Sequence, residues 1–213
     1  MSEPGSAIPY DLLMTIQQGT MAWRHRGLPT LKNPFDLALY PLLLAELRPR
    51  TLIEIGSHAG GSALWFADTA SALGVEIVVH SVDIVVPTAV ADPRVTFHAG
   101  DARNLGACLS AELLASLPKP WLVVEDADHH YRTTLAALRF FDPWVVPGDY
   151  VVVEDGILSD MRVADAYGGG PARAVADFLA GGGRGRYEVD RRYCDYFGRN
   201  VTWNVDGWLR RVA

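Results

Sequence analysis

Hydrophobic and polar positions fall into repeating blocks: short continuous apolar runs rich in Val, Ile and Leu, then longer stretches with three- and four-residue apolar spacing. The runs Leu52–Ile55, Val75–Val82, Val95–Ala99, Trp121–Val124 and Tyr150–Val153 predict strands, and their near-unbroken apolar character is that of strands covered on both faces. Between them the spacing predicts helices over 36–47, after Gly60-Gly61, over 103–117 and over 131–141, where Leu135, Leu138 and Phe141 share one face. Asn33 or Asp36 is expected to cap the first of these. A short helix, Pro171–Leu179, follows Gly168-Gly169-Gly170. Tyr187–Asp190, Val201–Asn204 and Trp208–Val212 read as strands of a terminal antiparallel hairpin, with Asp206-Gly207 as a turn pair. Pro9, Gly19, Gly27, Pro29 and Pro34 interrupt any long helix in residues 1–35, which read as an irregular lid or cover segment ahead of one domain, 36–213. The expected fold is α/β and Rossmann-like, a mostly parallel sheet with helices on both faces and an antiparallel end.

The stretch TLIEIGSHAGGSALWFAD, residues 51–68, is a strand, a glycine turn and a helix start in one unit, the arrangement from which nucleotide-type sites are built. Its glycines, Gly56, Gly60 and Gly61, do not follow G-x-G-x-x-G, and no Lys-Ser/Thr follows them, which disfavours a dinucleotide or a triphosphate. An acid, one residue, then Gly with another Gly four on resembles the first motif of S-adenosylmethionine (SAM) methyltransferases. Each strand also ends in an acid, and ligands of open α/β sheets bind beyond the carboxyl ends of strands. Glu54, Asp83, Asp101, Asp126 and Asp155 are therefore expected to converge on one crevice.

These acids divide by chemistry. Glu54, Asp83 and Asp101 surround the glycine turn, where carboxylates suit a ribose diol and amines; SAM offers both, and the ribose of NAD would use Asp83 equally. Asp126, Asp128, Glu154 and Asp155 cannot all stay ionised at close quarters without a shared proton or a cation, and an oxygen-rich ligand set favours magnesium, manganese or calcium. His129 and His130 are adjacent and diverge, so one suits a general base; the alternative is that both cap or hydrogen-bond around the 131–141 helix. A divalent cation beside a methyl donor suits O-methylation, since coordination acidifies and orients a hydroxyl nucleophile.

Composition narrows the setting. A net charge of -6 and a pI near 5.4 argue against a nucleic-acid surface. No stretch approaches a membrane span, and MSEPGSAIPYDLL lacks the basic-then-apolar order of a signal peptide. Two cysteines, Cys108 and Cys194, make no disulfide framework, and a reducing cytoplasm is the expected location.

Six blocks stand in order along the chain: Trp23, Gly27, Lys32, Pro34, Asp36 and Tyr40; Glu54, Gly56, Gly60, Gly61 and Ser62; Asp126, Asp128 and His129; Pro147 to Asp155; Gly170 to Leu179; and Thr202, Asn204, Gly207, Leu209 and Arg211. Together they resemble the cephalosporin hydroxylase/rhamnosyl O-methyltransferase family of metal-dependent class I methyltransferases. The glycine loop is also similar to that of catechol O-methyltransferase, a magnesium enzyme; His58, standing where many methyltransferases carry a middle glycine, implies a more open turn of that type. The resemblance implies a SAM- and Mg2+- (or Mn2+-) dependent O-methyltransferase. Its expected SAM site holds Glu54, Gly56, Ser57, His58, Gly60, Gly61, Ser62, Asp83 and Asp101, with Lys32 added; its metal ligands are Asp126, Glu154 and Asp155; its catalytic groups are His129, Asp126 and His130. Departures are Glu125 before the usual Asp, a second imidazole at His130, and Gly156 after the acidic pair. The implied acceptor is a small molecule, glycosylated or polyketide-like, for which Trp23, His25, Tyr131, Trp144, Tyr167, Tyr196 and Trp203 offer aromatic faces. The implied assembly is a homo-oligomer with neither nucleic acid nor membrane as partner. A SAM-binding accessory protein without chemistry is the alternative from another class; a natural-product hydroxylase ranks lower, because no flavin or NAD glycine pattern and no clear iron facial triad is present.

Overall fold

The structure, a computed structural model, describes residues 5–213; the first four residues of the expected cover segment lie outside the described residues. In chain order the elements are α1 (Tyr10–Ala22), β1 (Arg24–His25), β2 (Leu28–Pro29), α2 (Pro34–Leu47), β3 (Thr51–Ile55), α3 (Gly61–Ala72), β4 (Val78–Asp83) and β5 (Val95–Ala99). They continue with α4 (Ala111–Ser116), β6 (Trp121–Glu125), α5 (Tyr131–Phe141), β7 (Tyr150–Val153), α6 (Gly170–Phe178), β8 (Tyr187–Val189), α7 (Arg191–Cys194) and β9 (Trp208–Arg211). Among the described residues no helix is long and apolar enough to cross a membrane.

Seven strands form one sheet in the order β5-β4-β3-β6-β7-β9-β8. β3 pairs in parallel with β4 and with β6, while β9 runs antiparallel to both β7 and β8. The chain winds outward from β3 in one direction and from β6 in the other, so a crevice opens between the carboxyl ends of these two strands. Every residue of β3, β6 and β7 is buried, as continuous apolar runs require.

Alternate side chains feed two cores. Leu52, Val124 and Val152 pack against Tyr40, Leu43, Leu44 and Phe66 of α2 and α3. Ile53, Val123 and Val151 pack against Leu135, Leu138 and Phe141 of α5 and Val175 and Phe178 of α6. Each large aliphatic side chain buried this way contributes ~1.5–3 kcal/mol, so the two-sided sheet is the main source of stability. Asn33, not Asp36, caps α2: its side chain accepts from the Phe35 and Asp36 amides at 2.9 and 3.1 Å. Asp36 is instead fully buried and accepts from Thr202 Oγ1 and, at 3.1 Å, from the Trp203 amide; burial pushes its carboxyl up to about 6.

Several elements differ from the sequence expectation. The 13-residue α1 stands where irregular chain was expected; Gly19 sits in it with open space around its Cβ position, so its cost is only conformational, ~1 kcal/mol. Leu13 carries α1 onto a third apolar cluster with Ile157, Leu158, Met161, Trp203 and Val205. The 103–117 helix is broken into a 3-10 segment, Ala102–Ala107, and α4, because the Ser110 side chain accepts from the Leu113 amide and restarts the helix. The strand expected from Val75 begins at Val78. Residues 201–204 are not a strand: the Thr202 hydroxyl and the Trp203 amide turn to Asp36, and the antiparallel end is formed by β8 and β9. Gly207 still has a structural task, since a Cβ there would stand 2.1 Å from the Val153 carbonyl oxygen.

Candidate active site

At the end of β3 the chain turns back across the tip of β6. Gly56 adopts φ +107°, and a Cβ on it would stand 2.0 Å from the Asp126 carbonyl oxygen, so only glycine fits. His58 takes φ +44°, in the left-handed region that histidine enters more readily than most side chains, and its amide donates to Asp83 Oδ2 at 2.8 Å. Gly60 at φ +78° begins α3, and Ser57 and Ser81 hydroxyls meet at 2.6 Å beneath the turn. Beside this turn lies a cavity of about 220 Å³ bordered by Gly56, Asp83, Gly100, Asp101, Ala127 and Asp128. Asp83 accepts from the His58 and Val85 amides, which fixes its carboxylate while leaving lone pairs for a ligand diol. Arg103 pairs with Asp101 and holds that carboxyl down at about 2.

A second cavity of about 220 Å³ shares Gly56 and Ala127 with the first. Its other walls combine the N-terminal segment, through Gln17, Thr20 and Leu31, with His58, His129 and Trp203. Trp203 Nε1 donates to Gln17 Oε1 at 2.8 Å, tying α1 to the far wall. The hairpin β1–β2 is clamped on α3 by Asp68, which accepts from His25 and Arg26 at 2.7 and 2.8 Å. A Cβ on Gly61 would stand 2.2 Å from the Pro29 carbonyl oxygen, so this glycine admits the cover segment and does not border either cavity.

Asp126, His129 and Asp155 meet on the floor of the second cavity, with one ligand atom from each lying within 4.8 Å of the others. His129 Nδ1 is 3.0 Å from Asp155 Oδ2 and 3.8 Å from Asp126 Oδ1. His129 and Asp155 both have positive φ, +58° and +57°, a backbone cost of ~1–3 kcal/mol each that turns their side chains toward one another. Burial pulls the His129 pKa down, but the hydrogen bond and charge of Asp155, with the Asp126 charge, win and push it up to about 10. Burial raises Asp155 and His129 lowers it, leaving that carboxyl below its usual range. Two part-exposed carboxylates and an imidazole around one point form a donor set that fits a hard divalent cation.

The remaining expected residues stand elsewhere. Glu154 is buried beside this group, with Oε1 accepting from the Tyr40 hydroxyl at 2.6 Å and Oε2 from Lys32 Nζ at 2.8 Å. Lys32, 1 % exposed, borders neither cavity; its ammonium bridges Glu154 and Asp126, donating to Asp126 Oδ2 at 2.6 Å. Burial disfavours that charge, but Asp126 and Glu154 hold the ammonium above its usual range. Glu54 is fully buried behind the turn, accepts from the Ser81 hydroxyl, and is raised by burial. Ser62 borders the second cavity rather than the first. His130 caps α5, accepting from the Arg132 amide at 3.4 Å, and diverges from His129 as adjacent residues do. Glu125, on the opposite face of β6 from Val124, is raised by burial to about 7. Asp128, grouped by sequence with the acids of the metal half, borders the first cavity instead, and Gln17, Thr20, Leu31 and Thr133 border the cavities without having been singled out as ligands of them. The only signal for Gln17, Thr20 and Leu31 was their place in the cover segment.

The family described as rhamnosyl O-methyltransferase/CmcI matches residues 17–212. A rhamnosyl O-methyltransferase of Mycobacterium leprae is 34% identical over 199 residues, 90% of this chain and 83% of that protein. A solved structure of CmcI with Mg and SAM superposes with a TM-score of 0.70 at 27% identity, covering 100% of this chain and 82% of that one. An SAH-bound form of CmcI gives a TM-score of 0.70 at 26% identity over 100% of this chain and 96% of that one. The strand order, the glycine turn and these matches agree, and the chain belongs to the rhamnosyl O-methyltransferase/CmcI family.

Proposed function

We propose that this protein is a SAM- and Mg2+-dependent O-methyltransferase that methylates a hydroxyl of a sugar or other small-molecule secondary metabolite. The observation that carries the reading is the pair of cavities divided by Gly56 and Ala127, one bordered by Asp83 and Asp101, the other floored by Asp126, His129 and Asp155. In this assignment Asp83 holds the ribose diol of SAM, and Asp101, with Arg103 behind it, lies beside the adenosyl end. The glycine turn brings its backbone against the donor, because no side chain stands at Gly56. Bound SAM supplies a methyl on a sulfonium, whose departure as a neutral thioether needs no covalent enzyme intermediate.

Asp126 and Asp155 would hold the magnesium ion, with Glu154 adjoining them through Lys32; a bound divalent cation supplies acidity to a coordinated hydroxyl and balances the carboxylates. His129 is the imidazole within reach of that centre; with a cation balancing Asp126 and Asp155 in place of its own charge, it would release its proton to solvent and, as the neutral imidazole, could take the proton of the acceptor hydroxyl. The cover segment closes the second cavity with Gln17, Thr20 and Leu31, a mixed polar and apolar wall suited to a sugar ring, and its closure excludes water from the donor methyl. The names of the mycobacterial relatives and of the CmcI structures support the sugar acceptor and the cofactors.

Exposed apolar side chains on α1, Leu12 at 52% and Met21 at 51%, support a homo-oligomer joined through the N-terminal segment. Two unpaired cysteines suit a reducing cytoplasm. Isothermal titration of SAM with and without Mg2+, followed by methyl transfer to rhamnosylated acceptors, tests the reading. Absence of SAM binding at millimolar ligand would remove it.

A further inference from the structure

Asp126 is divided between two environments. Its Oδ2 accepts from the buried Lys32 ammonium at 2.6 Å, while its Oδ1 lies 3.8 Å from His129 Nδ1, on the side of the Asp126, His129 and Asp155 group. A carboxylate on an aspartate turns freely about its last bond unless one oxygen is fixed, and here a cation with 1 % exposure fixes it. Lys32 is itself immobilised from behind: its second bond goes to Glu154 Oε2, and Glu154 Oε1 is anchored by the fully buried Tyr40 hydroxyl. The chain Tyr40–Glu154–Lys32–Asp126 thus runs from α2 to the tip of β6. It joins the segment that covers the second cavity to the group at its floor.

We propose that Lys32 is a positioning residue of the metal centre: by gripping Asp126 through Oδ2 it presents Oδ1 to the site shared with His129 and Asp155, so that the site is assembled before a cation arrives. Groups that orient a metal ligand are worth about 10–100-fold in metal affinity, and an ammonium in this place does so without being a ligand. The inference rests on the metal reading above. Burial opposes the Lys32 charge, and Asp126 and Glu154 together compensate it.

The test uses the full chain and Mn2+ alone, followed by the electron paramagnetic resonance signal of free Mn2+, with SAM affinity measured in parallel. Lys32→Gln, which keeps amide donors and loses the charge, is expected to weaken Mn2+ binding about 10–100-fold and to leave SAM affinity within about threefold, because Lys32 borders no part of the SAM cavity. A second comparison guards against a folding defect from the unpaired buried carboxylate: Lys32→Met in a Glu154→Gln background against Glu154→Gln alone, with the same further loss expected. Mn2+ affinity unchanged in both comparisons overturns the proposal, and so does a parallel fall in SAM affinity, the mark of a damaged fold. A wild-type protein that binds no Mn2+ overturns the metal reading and the role of Lys32 with it; a wild type that binds Mn2+ no better than the Lys32 variants overturns this proposal alone.

Discussion

Gly56 and Asp126 meet backbone to backbone at the crevice, so closely that a single added methyl group on Gly56 would stand 2.0 Å from the Asp126 carbonyl oxygen. The contact joins the loop after β3 to the loop after β6, and so joins the two cavities on either side of it. Gly56→Ala combines this overlap with a φ of +107°, and the expected cost is roughly 3 kcal/mol or more. Thermal denaturation and SAM titration should both register it. A variant as stable as wild type, with unchanged SAM affinity, would show that the two loops are not held by this contact.

Asp155 touches the proposed metal centre and not the SAM cavity. Asp155→Asn should therefore abolish measurable Mn2+ binding and lower turnover on the order of 10²–10³-fold, the range for removing one preorganised electrostatic group. SAM affinity should stay within a few-fold. Equal losses in turnover and SAM affinity would place Asp155 in the donor site.

Asp68 gathers His25, Arg26 and Arg94 and holds the β1–β2 hairpin against α3. Part-exposed pairs of this kind contribute little to global stability, up to about 1 kcal/mol each. Asp68→Ala should consequently leave the thermal midpoint nearly unchanged while speeding amide exchange in residues 24–31. Unaltered exchange there would mean that the Gly61–Pro29 packing alone secures the hairpin.

His80 and His98 stack across β4 and β5 with ring nitrogens 2.9 Å apart. Burial, aided by His98, lowers the His80 pKa from its ordinary value near 6.5 to about 4. The unfolded chain binds the proton more readily, so stability is complete above pH 6.5 and is lost as pH falls from 6.5 toward 4; the loss is on the order of 2 kcal/mol. Denaturant melts across that pH range should show this loss in wild type and a smaller one in His80→Gln. Identical pH slopes would contradict it.

The sheet was legible because parallel strands buried on both faces leave continuous apolar runs, and the acids at their ends mark the crevice. α1 was not, since Pro9 and Gly19 read as breakers although one precedes the helix and the other sits in it without a neighbour to offend. At the site, the sequence brought Asp126, His129 and Asp155 into view but could not divide labour among neighbours. Which of two adjacent histidines faces the centre depends on a positive φ at His129 and a cap at His130. Whether Lys32 meets the methyl donor or the carboxylates depends on a contact 94 residues away in sequence. Neither backbone sign nor long-range pairing is written in a spacing.

The central claim is a methyl donor and a divalent cation on opposite sides of the Gly56–Ala127 partition, and a crystal structure grown with SAH and Mn2+ tests it most directly. An anomalous peak at Asp126 and Asp155, with the SAH ribose on Asp83, is the predicted result. SAH bound elsewhere, or manganese absent from these two carboxylates in a crystal whose SAH site is filled, would contradict it.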